Sequence, residues 1–219
     1  MSGPRTALER AFPIGRWRAD WIWAADAPRG ARHAVALQTS FELDEVPTFV
    51  PARWCAISRV TLYVNGVEIG RGPVRSNPRT QPADDADLTP FLRRGRNTVA
   101  ALVTSYAGST PWYLHMPEAA NDLAHGAFVF EARAGAQWIT SDTTWRAATL
   151  HGWGIGGTAG EFSGRSMETI DANACPADWT TTELGWPDAV VQDSQTFGEP
   201  GARKPPSYPI GRPPNGPIG

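Results

Sequence analysis

Long apolar runs, clustered basic residues and extended helical periodicity are all scarce in this sequence, and each shortage removes a class of function. No stretch approaches the roughly 18 consecutive apolar residues that a membrane-spanning helix needs. Twenty basic against twenty-two acidic side chains leave a formal charge of −2. No segment gathers the Lys and Arg required to neutralise a phosphate backbone, which argues against nucleic acid as a partner. Residues 1–10 are polar and carry no apolar core of the kind a secretory leader has, so a cytoplasmic location is expected. Cysteine is limited to Cys55 and Cys175. Two cysteines so far apart define no disulfide framework, and neither has a second cysteine at zinc-ligand spacing. Cys55 lies in a strand-like stretch, Arg53–Ile57, where a buried free thiol is the expectation.

The signatures of common catalytic and cofactor sites are missing as well. His33, His115, His125 and His151 form no i, i+4 ligand pair and no HExxH. Ser163 stands in Phe-Ser-Gly rather than in a G-x-S-x-G elbow. The glycine-rich run Gly152–Gly160 has no Gly-Lys-Ser/Thr and no strand–helix setting for a dinucleotide; it reads as a flexible loop bearing Trp153. No cofactor and no metal are therefore expected. Asp84, Asp85 and Asp87 are close in sequence and invite a glycosidase reading, which needs two carboxyls about 5–10 Å apart across a sugar. A solvated loop followed by a helix cap explains them more simply.

What the sequence does contain is β-structure and tryptophan. Ala34–Leu43 places Val35, Leu37, Thr39 and Phe41 at alternate positions, the period of a half-buried strand. Trp54–Val64 is a second such run, with Ile57, Val60, Leu62 and Val64, and Val67–Ile69 resumes the pattern after Asn65-Gly66. Asn-Gly between two such runs predicts a type I′ hairpin, because both residues tolerate positive φ. Arg71–Asp85, with Pro73, Pro78 and Pro82, reads as a surface loop. Thr89 and Pro90 are expected to cap and start a short helical turn that Gly95 ends. Asn97–Ser105, Ala127–Ala132 and Gln137–Thr140 return to strand. Short strands joined by Gly/Pro turns indicate an all-β, antiparallel sandwich or barrel. The ten tryptophans suit either its core or a surface that stacks against flat apolar ligand faces.

The tail differs. From Gly198 to Gly219, twelve of twenty-two residues are Pro or Gly, so this segment cannot offset its ordering entropy by burial and is expected to be a linker. The domain plan is thus an N-terminal arm over 1–16, a β-sandwich over 17–197, and a linker over 198–219.

Several motifs together carry a family resemblance. Trp21-Ile22-Trp23, Phe41-Glu42-Leu43, Leu62-Tyr63-Val64-Asn65-Gly66 and Gly70-Arg71-Gly72-Pro73 resemble the N-terminal region of bacterial α-L-rhamnosidases. Asp87-Leu88-Thr89 with Leu92, Gly95 and Asn97, then Ser141-Asp142, Trp145-Arg146, Glu168, Ile170-Asp171 and Trp179, continue the pattern in order. The likeness runs from about Trp17 to Trp186. Its N-G…G…D-L-T…L…G-x-N subset is also similar to the sugar-binding sandwich domains of β-galactosidase-like enzymes. The resemblance implies a jelly-roll sandwich of the galactose-binding-domain type. It also implies that hydrolysis belongs to a separate, C-terminal (α/α)-barrel, so no catalytic residue of the family has a position here.

The function expected is a non-catalytic accessory domain of a rhamnosidase-like glycoside hydrolase. Its partners would be the catalytic barrel and a rhamnose-containing glycan. Candidate carbohydrate contacts are Arg75, Asn77, Trp112, Tyr113 and Trp153, where aromatic faces stack on the sugar and polar groups orient it. A small stand-alone hydrolase and a purely structural packing module are the alternatives.

Overall fold

The computed structural model describes residues 7–12, 17–57, 59–73, 83–105, 126–158 and 166–192. The strands follow in chain order: β1 (Ile22–Trp23), β2 (His33–Leu43), β3 (Pro51–Ile57), β4 (Arg59–Val64) and β5 (Val67–Gly72). After them come β6 (Asp84–Asp87), β7 (Gly95–Ser105), β8 (Ala127–Ala134), β9 (Gln137–Thr140) and β10 (Arg146–Thr149). β11 (Trp153–Thr158), β12 (Ser166–Ile170) and β13 (Val190–Val191) complete the series. A single helical turn, α1 (Ala7–Ala11), precedes them.

The pairing is that of one long hairpin rolled up on itself. β4 pairs with β5 around Asn65-Gly66, β3 with β6, β2 with β7 and β1 with β8, all antiparallel. Successive rungs fall alternately in two sheets, ordered β13-β1-β8-β3-β6 (with β9 on β8) and β10-β2-β7-β4-β5. This is jelly-roll order, and the two sheets form a β-sandwich. The tip is the predicted type I′ turn, with Asn65 at φ 50° and Gly66 at φ 81°.

Alternation places Trp54, Leu62, Val99, Val103 and Phe128 between the sheets. Trp145 fills the centre, its ring 5.6 and 5.7 Å from Phe128 and Phe130 and its indole N–H donated to the Thr140 carbonyl at 2.8 Å. Trp17, Trp21, Trp23, Trp54 and Trp145 are buried, whereas Trp138, Trp153, Trp179 and Trp186 are half-buried. Among the described residues tryptophans thus occupy both the core and the surface.

Several expectations need correction. Trp54–Val64 is two strands in different sheets, not one run. The even positions Trp54, Ala56, Val60, Leu62 and Val64 all face the core, so the parity is the same in both strands and conceals the change of sheet. Gly152–Gly160 is not simply a loop: Trp153–Thr158 pairs with Ser166–Ile170 as a hairpin. Asp84 and Asp85 are not loop residues but belong to edge strand β6. The turn after them is a 3-10 turn over Thr89–Phe91, and its cap differs from the expected one. Asp87 accepts from the Thr89 N–H and hydroxyl, and both Asp87 and Thr89 oxygens accept from the Val50 N–H.

The outer face of the first sheet is also covered. Trp17 and Trp21 pack over Cys55, Ile57 and Val129, so all seven residues of β3 are buried. Arg53 and Glu131, opposite one another in β3 and β8, form an ion pair there at 2.5 Å. The Arg53 guanidinium lies over the rings of Trp17 (4.2 Å) and Phe12 (4.6 Å), and Glu131 also accepts the Arg18 N–H at 2.7 Å. Burial pulls the Arg53 pKa down and Glu131 acts against that. These contacts fasten the chain on either side of residues 13–16 to the sheet.

Candidate functional site

The outer face of the second sheet is the place where aromatic and charged side chains gather. Register fixes two rows across it: Gln38–Ala100–Tyr63–Glu68 and Ala36–Leu102–Thr61–Arg71. Small residues dominate the middle strands, so the floor is low, with Ala34, Ala36, Leu102 and Leu150 as its buried apolar patch. Tyr63, Trp153, Trp179 and Trp186 stand on this patch, half-buried.

Local structure sets each ring. A register shift in the β4–β5 ladder follows Leu62, so Tyr63 lies opposite Glu68 while Leu62 lies opposite Gly70. The extra residue, Ile69, turns towards the core, and Glu68 and Arg71, three apart, emerge on one face. They join in a two-point contact, Arg71 Nε to Glu68 Oε1 at 2.8 Å and Nη2 to Oε2 at 2.9 Å. Trp153 opens β11, and its indole N–H is donated to Glu168 of β12 at 3.2 Å. Trp179 and Trp186 come from a strap over residues 178–188. Asp178, at φ 58°, closes a turn whose Thr181 and Thr182 N–H groups return to its carbonyl. Gln38 donates to the Thr182 carbonyl and Thr98 to that of Thr181, which ties the strap to the sheet. Glu183 bridges Arg96 and Arg146, and Arg146 also pairs with Asp188. The result sets Trp179 edge-on to Tyr63 at 5.7 Å and places Trp186 6.4 Å from Trp179.

The charges form one neighbourhood. Hydrogen bonding to Glu68 raises the Arg71 pKa, and Tyr63 and Glu168 act in the same direction. Burial, then Glu68, pushes the Tyr63 phenol up, so at neutral pH it is an O–H donor.

Among the sequence candidates, Trp153 falls in this cluster. Arg75, Asn77, Trp112 and Tyr113 lie outside the described residues. The strands that flank them end together: Gly72 is opposite Val60, Arg59 opposite Thr104, Ser105 opposite His33, and Ala127 opposite Ile57. Sequence reasoning missed Tyr63, Arg71 and Glu68 as site residues, although alternation from Leu62 already turns Tyr63 outwards. Trp179 and Trp186 carried no signal beyond the resemblance.

Within the carboxylate group, Asp84 and Asp85 do not make a hydrolytic pair. Asp84 and Asp85 are consecutive strand residues and point to opposite faces, opposite Trp54 and Arg53 respectively. Burial, then Asp85, pushes the Asp84 carboxyl up to about 6. Burial acts on Asp87 in the same sense, but the hydrogen bonds from Thr89 and Val50 outweigh it and hold that carboxyl below its ordinary value. Among the described residues no group of three or more His, Cys, Asp or Glu side chains is arranged to hold a metal ion. No helix among them is long and apolar enough to cross a membrane. Cys55 and Cys175 are free thiols, and burial drives the Cys55 pKa far up.

No family model and no curated protein matches this chain. Solved structures do. The GH78-family rhamnosidase of Bacillus sp. GL1 is 30% identical with a TM-score of 0.65, and the match covers 80% of this chain and 18% of that one. The α-L-rhamnosidase of Streptomyces avermitilis, solved with L-rhamnose, is 21% identical at a TM-score of 0.62, over 83% of this chain and 17% of that one. The enzyme of Aspergillus terreus is 15% identical at 0.61, over 80% and 21%, and these last two likenesses are of fold. This chain spans about a fifth of the length of such enzymes, and what it matches is a domain of the GH78 α-L-rhamnosidases.

Proposed function

We propose that this chain is a non-catalytic accessory domain of an α-L-rhamnosidase-like glycoside hydrolase. It stands N-terminal to an (α/α)-barrel that performs hydrolysis. The observation that carries this reading is the lopsided coverage, 80% of this chain against 18% of the Bacillus enzyme at 30% identity. The opposed directions of Asp84 and Asp85 support it, since neither can serve the other across a sugar ring. In the same reading 17–197 is the folded domain and 198–219 a linker towards the barrel. Arg75, Asn77, Trp112, Tyr113 and Trp153 are its candidate glycan contacts. The test is to incubate the 219-residue chain with an aryl α-L-rhamnoside. No turnover is expected; turnover that survives repurification and is lost on heat unfolding would overturn the proposal.

A further inference from the structure

We propose that the open face of the second sheet, between β5, the β11–β12 hairpin and the 178–188 strap, binds a neutral saccharide. Tyr63, Trp153 and Trp179 are its stacking surface, and Glu68, Arg71 and Glu168 its hydroxyl partners. The proposal rests on the accessory-domain reading and gives it a site.

Three observations carry it. The largest rings of the outer face stand over its smallest residues, Ala34 and Ala36, and remain half-exposed, whereas five other tryptophans are buried. A pyranose presents a flat patch of C–H groups, and a half-exposed ring next to hydrogen-bonding groups is the surface that takes it. The polar groups also include both kinds that sugar hydroxyls need. Glu68 and Glu168 accept, while Arg71 and the un-ionised Tyr63 donate. Finally, the charge selects the class. Among the described residues Arg71 is the guanidinium that stands with Glu68 and Glu168, and Glu68 already engages it at two points, so a uronate or phosphate would have to displace that contact to use it. A neutral sugar meets no such opposition.

The test titrates the 219-residue chain calorimetrically with L-rhamnose, methyl α-L-rhamnoside, cello- and xylo-oligosaccharides, and polygalacturonate. At least one neutral saccharide is expected to bind. Its affinity should fall about tenfold in Tyr63→Ala and about threefold in Arg71→Ala, as expected for loss of a stacking ring and of an exposed polar contact. Arg71 is solvent-exposed, so Arg71→Ala should keep the native melting temperature and separates binding from folding. Binding of no neutral saccharide at about 10 mM, the weak limit of useful affinity, would overturn the proposal. Preference for polygalacturonate, undiminished binding in both variants, or self-association of the chain through this face would do so too. Each of those results leaves the accessory-domain reading standing; only turnover of the aryl rhamnoside removes that.

Discussion

Replacing Asp84 by asparagine should stabilise this domain at neutral pH, and the size of the gain follows from where the carboxyl sits. Asp84 is in edge strand β6 opposite Trp54, and its Oδ2 is buried without a hydrogen-bond partner among the described residues. Gly72 lies so close that a Cβ there would collide with the carboxylate. Burial, then the neighbouring Asp85, raises the carboxyl from the ordinary 3.8 to about 6. The folded state therefore holds this proton more tightly than the unfolded state does. Its stabilising contribution is complete below about pH 4 and is lost as pH rises through about 6. At about 1.4 kcal/mol per pH unit the gap amounts to about 3 kcal/mol. Solvent reaching the half-exposed residue reduces that to about 1–2 kcal/mol. Asp84→Asn removes the charge at nearly constant shape. Urea unfolding of both proteins should give a variant more stable by about 1–2 kcal/mol at pH 7.5, with the difference vanishing near pH 4. Equal stability at pH 7.5, or a difference that persists unchanged at pH 4, would refute the reasoning.

Two further perturbations probe the frame around the site. Glu131→Ala removes the buried carboxylate that pairs with the Arg53 guanidinium against Trp17 and Phe12, and should cost about 3–5 kcal/mol in urea unfolding. Replacing both partners together, Arg53→Met with Glu131→Leu, should recover most of that loss. Gly66→Ala forces a side chain into the left-handed region and brings its Cβ to 2.5 Å from the Thr181 methyl. A loss of about 1–2 kcal/mol is expected from the backbone alone, together with a looser strap that weakens Trp179 packing and shifts tryptophan emission. Gly185→Ala, with nothing within 4 Å of the new methyl, is the matched control and should be close to neutral.

Local chemistry was enough to read the hairpin at Asn65-Gly66 and strands over Ala34–Leu43 and Asn97–Ser105, which run His33–Leu43 and Gly95–Ser105 in the structure, and hence an all-β sandwich. These depend on turn propensity and a period of two, both properties of neighbouring residues. The passage from β3 to β4 was invisible for the same reason: the inward parity of Trp54, Ala56, Val60 and Leu62 is identical whether the two strands lie in one sheet or in different ones. Glycines 154, 156 and 157 gave the look of a loop to what pairing with β12 makes a strand. The candidate site was the least legible part. Tyr63, Arg71, Trp153, Glu168 and Trp179 are spread over more than a hundred positions, and only the rolling of the long hairpin, one register shift and a strap tied down by Gln38 and Thr98 bring them to one face. Which tryptophans enter the core and which stay at the surface was likewise decided by tertiary structure. The sequence by itself determined the kind of fold, through local periodicity; the site arises from register and crossing, which are contacts between distant residues.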